Sequence, residues 1–166
     1  MNRGSSITVT RRPHWRYIFL TVVMALLLNA LPLPESIQYV WPDWVMLVVF
    51  YWALVLPSHL GVMFGWINGF LEDIVSFSLL GQHALGKALT GMVVALAAKK
   101  MHLFNFIERM FVIFILQSIS IAIVVWVNHL AFQTPVLSIY WMPALSTALI
   151  WPIASFVLSQ LDPNVV

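Results

Sequence analysis

The chain alternates long apolar runs with short polar breaks, and the breaks fall where proline, glycine or charge gathers. An apolar stretch from Trp15 to Leu31 is closed by Pro32 and Pro34, and a second, Val40 to Leu56, opens on WPDWV and stops at Pro57. A third runs from about Leu60 to Phe77 through the adjacent acids Glu72 and Asp73, and Ser76 to Gln82 reads as a turn. The fourth, His83 to Ala98, is closed by Lys99 and Lys100; the fifth covers Ile107 to Leu130; the sixth runs from Ile139 to about Leu161. Pro143 stands near the start of this last run and Pro152 inside it, where a ring without an N–H predicts a kink. Runs of this length and polarity predict six membrane-spanning helices.

Composition supports that pattern. Of 166 residues, 61% are hydrophobic and only 8% charged, with a mean hydropathy of +0.93, far from the quarter or so of charged residues in a soluble domain. The expected organisation is an all-α polytopic membrane protein: a polar tail over residues 1–14, one six-span domain over 15–161 in a compact bundle, and a short tail over 162–166. The first span also fits an uncleaved signal-anchor, since no small-x-small cleavage site follows it. There is no cysteine, which excludes disulfides, thiolate catalysis and Cys-ligated metals.

Charge sets the orientation. Arg3, Arg11, Arg12 and Arg16 precede or open the first span, and Lys99, Lys100 and Arg109 bracket the loop between spans four and five. With six spans both groups fall on one side, which the positive-inside rule makes cytoplasmic, together with both termini. The basic balance is therefore topological and implies no nucleic-acid partner. Trp15, Tyr17, Trp41, Trp44, Tyr140 and Trp141 lie near span ends, as interfacial anchors do. Lys87 is the basic residue outside the cytoplasmic set.

In span three Gly61, Gly65 and Gly69 recur every fourth residue and form one smooth stripe, suited to close approach of another helix. Span four offers small residues in Ala84, Ala88, Gly91, Ala95 and Ala98. Asp73 continues the glycine series, and Glu72 projects about 100° away. A carboxylate at membrane depth costs several kcal/mol unless neutralised or paired, so Asp73 should point inward. If Leu80 marks the turn, Asp73 and Lys87 lie level, about 10 Å from the outer helix ends at 1.5 Å per residue. Lys87 is therefore expected to pair with Asp73 or Glu72. Such a pair can simply lock the hairpin, or it can serve a proton relay, a substrate counter-ion or a partner contact.

Other chemistry finds little support. His14, His59, His83, His102 and His129 have no second ligand at helical spacing, so no metal site is expected, and no cofactor is implied. No nucleophile elbow, phosphate-cradling loop or zinc-protease motif is present. An enzyme would rest on Glu72 and Asp73 alone, and adjacent helical residues project in different directions.

WPDWVMLVVFYWALVLP (41–57), GWINGFLEDIVSFSLLGQHALGKAL (65–89) and PALSTALIWP (143–152) resemble, in order and spacing, the rod shape-determining protein MreD family. Asp73, Gly81, Gln82, His83, Ala84 and Leu85 occupy the segment that carries the likeness most specifically, and Gly65 and Gly69 match further glycines; Glu72 and Lys87 depart from the pattern. The resemblance implies a non-enzymatic subunit of the cell-elongation complex in the bacterial inner membrane. Such a subunit would act with MreC, MreB, RodA and a penicillin-binding-protein synthase in side-wall peptidoglycan synthesis. It also implies a fold like that of the membrane substrate-binding subunits of vitamin transporters.

Two functional expectations follow. In one the protein is a scaffold that binds the transmembrane helix of MreC, or a second copy of itself, through glycine-lined and aromatic surfaces among the membrane lipids, with Gly61, Gly65, Gly69 and Gly81 as packing positions. In the other it is a small-molecule binding or transport subunit whose polar cavity is ringed by Asp73, Gln82 and His83, with Glu72 and Lys87 beside them.

Overall fold

The computed structural model describes residues 15–133 and 138–161, without the side chains of Glu35, Ser36 and Ser138. The tails at 1–14 and 162–166, and with them Arg3, Arg11, Arg12 and His14, lie outside the described residues. Among the described residues the secondary structure is entirely helical. The six principal helices are α1 (Trp15–Asn29), α2 (Trp44–Val55), α3 (Val62–Val75), α4 (Gln82–Met101), α5 (Phe106–Phe132) and α6 (Met142–Leu161). A single helical turn, Glu35–Gln38, follows α1, and a 3-10 turn, Ser138–Trp141, leads into α6.

The helix limits follow local chemistry. Val40 to Pro42 lie outside α2, because Asp43 caps the helix by accepting from Met46 N at 2.8 Å. At the α3–α4 turn Gly81 takes φ +102°, a left-handed conformation that glycine adopts without steric cost. Phe77 in the same turn has φ +51° and is 97% exposed. Lys99 and Lys100 belong to the last turn of α4, where cations meet the negative end of the helix dipole. Asn105 and Glu108 open α5 with a reciprocal capping box, at 2.9 Å in each direction. The helix α6 continues through Pro152 to Leu161.

The short α2 is the axis of the bundle. Every residue from Val45 to Leu54 is buried, as expected of a helix that is apolar all round. It packs against α1, α3, α4 and α6. Trp52 Nε1 donates to Thr21 Oγ1 of α1 at 3.0 Å, and the Phe50 and Trp151 rings meet edge to face at 4.9 Å. Its 12 residues reach only about 18 Å at 1.5 Å per residue, well short of the ~30 Å hydrocarbon layer. Helix α2 therefore starts inside the bundle, and its N-terminus opens onto polar groups.

The glycine stripe is used within the chain. A methyl at Gly65 would run into the Lys87 carbonyl of α4, and one at Gly69 would press on Ala84 Cα and the His83 carbonyl. Gly91 answers from α4, where a methyl would collide with the Gly61 carbonyl. Helices α3 and α4 thus form the tightest pair in the molecule. Gly81 departs from its expected packing role: nothing lies within 4 Å of where its Cβ would be, so it serves the turn.

Polarity is inverted relative to a soluble bundle. Phe19, Leu27, Leu96, Phe111, Trp126 and Phe156 are exposed, whereas Glu72, Asp73, Gln82, Lys87, Thr90 and Gln117 are buried. Phe106–Phe132 and Ile139–Leu161 are long and apolar enough to cross a membrane on their own; α1 and α2 are apolar but shorter.

Candidate functional site

The polar residues inside the bundle form two clusters, and the adjacent acids Glu72 and Asp73 belong to different ones. Glu72 faces Lys87, whose Nζ is 2.5 Å from Glu72 Oε2 and 2.8 Å from Asp43 Oδ2. Lys87 is completely buried, so its ammonium exchanges water for two carboxylates. Asp43 accepts further from Gln117 Nε2 at 3.1 Å and from Asn29 Nδ2 at 3.2 Å. Asn29 Nδ2 also donates to Glu72 Oε1 at 2.9 Å, while Asn29 Oδ1 accepts from Trp44 N at 3.0 Å. Asp43 N donates to Thr147 Oγ1 at 2.9 Å. The network joins α1 through Asn29, α2 through its cap, α3 through Glu72, α4 through Lys87, α5 through Gln117 and α6 through Thr147. Every principal helix contributes a polar group.

Asp73 serves the second cluster. Its Oδ1 accepts from Ser78 Oγ at 2.9 Å and His83 N at 3.1 Å, and faces His83 Nδ1 at 2.8 Å. Its Oδ2 accepts from Gly81 N at 2.8 Å and Ala84 N at 3.4 Å. A helix leaves its first amides without intrahelical acceptors, and Asp73 supplies those acceptors to α4 from the end of α3. Its carboxylate also complements the positive end of the α4 dipole.

These contacts correct several expectations. Of its two expected partners Lys87 pairs with Glu72, and with Asp43 besides; Asp73 is not its partner. The residue left for a ligand is not Asp73, whose side chain is wholly buried and whose oxygens are both engaged. The expected ring of Asp73, Gln82 and His83 is broken up as well. A cavity of about 590 Å³ does lie at this end of the bundle, lined by His83, Glu72, Asp43, Asn29 and Gln117, but Asp73 and Gln82 are not part of its lining. Gln82 is buried at the α4 start with no hydrogen-bond partner for its Oε1. Ile121, Val124 and Val125 of α5 also line the cavity, as do Trp41, Pro42, Tyr140 and Pro143.

The sequence reading missed Asp43, Asn29, Gln117 and Thr147. Asp43 had a legible signal, since an acid after proline at the head of an apolar run has the form of a helix cap. Gln117 and Ser120 interrupt an otherwise apolar stretch of α5 in the same way. Asn29 and Thr147 had none, because single polar residues near span ends are ordinary.

Among the described residues the other basic side chains lie at the opposite end. Arg16 opens α1, Lys99 and Lys100 close α4, and Arg109 opens α5. Arg109 donates to the Met101 and His102 carbonyls at 3.1 and 3.2 Å, and the His102 ring nitrogen Nε2 lies 3.1 Å from the Leu54 carbonyl, tying the α2, α4 and α5 ends together.

An all-helical bundle with a lipid-like exterior and a charged, hydrogen-bonded interior defines a membrane protein of the multi-helix class. The chain belongs to the rod shape-determining protein MreD family, whose family model matches residues 11–160. It is 31% identical over 81 residues to the rod shape-determining protein MreD of Haemophilus influenzae, an alignment covering 49% of this chain and 50% of that relative. The match thus spans about half the length of the curated relative. No solved structure matches the chain. Membership supports a role in determining rod shape.

Proposed function

We propose that the protein is a non-enzymatic subunit of the cell-elongation complex in the bacterial inner membrane, crossing it six times with both termini cytoplasmic. It holds an MreC-type partner by the partner's transmembrane helix and, with MreB, RodA and a penicillin-binding-protein synthase, supports side-wall peptidoglycan synthesis. The observation that carries the reading is the family match across residues 11–160. Arg16, Lys99, Lys100 and Arg109 at one end favour a cytoplasmic position for that end, which puts the cavity and the ion network toward the outer leaflet.

The glycine stripe faces α4 and is closed to a partner. What the bundle offers is its outer surface, where Phe111, Phe114 and Trp126 of α5 and Phe19 and Leu27 of α1 are exposed. Aromatic and aliphatic faces of this kind suit a single apolar helix, and a second copy of the chain would compete for them. The cavity favours the second reading, a small-molecule binding subunit with a fold like that of vitamin-transporter membrane subunits.

Thermal unfolding of the full chain in detergent tests the scaffold reading. A full-length MreC-type partner raises the unfolding temperature by mass action, and the partner without its transmembrane helix does not. Equal stabilisation by the truncated partner, or none by either, contradicts helix-mediated binding.

A further inference from the structure

The 590 Å³ cavity falls within the range of about 300–1,000 Å³ typical of small-molecule sites, and its most buried lining is rich in acceptors. Lys87 lies behind it, fully buried and outside the lining. Both contacts of Asn29 Nδ2 go to Asp43 and Glu72, and Gln117 Nε2 goes to Asp43. The cavity lining carries the Asp43 and Glu72 carboxylates together with the polar side chains of Gln117, Ser120, Asn128 and His83. Gln117 is 4% exposed, and its Oε1 has no hydrogen-bond partner, a costly arrangement for a buried acceptor when no ligand or water satisfies it.

Charge points the same way. If both carboxyls are ionised, Asp43 and Glu72 exceed Lys87 by one negative charge, and excess buried charge is costly. A cation with several N–H groups would balance the charge and satisfy the orphaned amide oxygen together. Ile121, Val124 and Val125 add apolar lining for the remainder of such a molecule.

We propose that this cavity binds a ligand bearing a primary ammonium group, with its nitrogen on Asp43, Glu72 and Gln117 Oε1 and its carbon body against the α5 wall. The ammonium comes from a soluble amine or from an aminolipid headgroup. The inference rests on the small-molecule reading of the cavity and is independent of the shape role and of the contact with an MreC-type partner.

The test uses the purified full chain in detergent with ethanolamine, glucosamine and dihexanoylphosphatidylethanolamine, each against its N-acetylated counterpart, which keeps the body and removes the charge. At least one amine should raise the unfolding temperature by a few degrees while its acetylated form does not. A response to the soluble amines assigns the site to a free ligand, and a response to the phospholipid alone assigns it to a headgroup. Val124→Trp, which fills the cavity and touches no member of the ion network, should abolish the response. No shift with any of the three amines, or equal shifts with the acetylated forms, overturns the proposal. So does a shift that survives in a folded Val124→Trp protein.

Discussion

Lys87 holds the two carboxylates of Asp43 and Glu72 at 2.8 and 2.5 Å in a space without solvent. Removing one partner of a buried ion cluster costs about 3–5 kcal/mol, because the charge left behind has neither water nor counter-ion. Lys87→Met is therefore expected to lose that much stability in a denaturant titration in detergent. Adding Glu72→Gln should restore at least ~1 kcal/mol, since the second change removes one of the orphaned charges; strictly additive losses would show that the two residues are not coupled. Asp73 makes a separate prediction. As the cap of α4 its replacement by Ala should cost ~0.5–2 kcal/mol, with no coupling to Lys87 beyond ~0.5 kcal/mol in a double-mutant cycle. A strong Asp73–Lys87 coupling would restore the pairing across the hairpin that the geometry rejects.

At the scale of elements, the α3–α4 hairpin depends on backbones meeting without intervening side chains. Gly65→Ala and Gly69→Ala each put a methyl into the backbone of α4, and overpacking of this kind costs about 1–3 kcal/mol. Gly61→Ala meets Ala95 Cβ at 3.4 Å and the Gly91 carbonyl oxygen at 3.9 Å, both ordinary contacts, and should be close to neutral. Thermal unfolding of the three variants checks the order, and equal effects would mean that the stripe does not seat α4. All six helices were legible because each is an apolar run closed by proline, glycine or charge. The inner start of α2 was not legible, since Val40 to Pro42 continue the apolar run and only the Asp43 cap separates them from the helix. The candidate site was half legible for a related reason. Glu72 and Lys87 stand out as charges in apolar sequence, but their third partner, Asp43, reaches Lys87 from 44 residues away in sequence. Equal depth in a hairpin ranks neighbours along two helices only and says nothing of a third helix that ends between them.

For the whole molecule, orientation and role are separable. The native chain lacks cysteine, so single-cysteine variants give an unambiguous readout. Phe77→Cys, at a position 97% exposed on the cavity side, should react with a membrane-impermeant thiol reagent once the reagent reaches the periplasm. Leu103→Cys, at the basic end, should react only after the inner membrane is opened; the reverse pattern would invert the bundle. If this bundle serves cell elongation, cell shape reports it. When the chain is depleted from rod-shaped cells that express it, the cells should widen and round, and re-expression of the wild-type chain should restore their length-to-width ratio. Depleted cells that keep growing as rods of unchanged width would contradict the account.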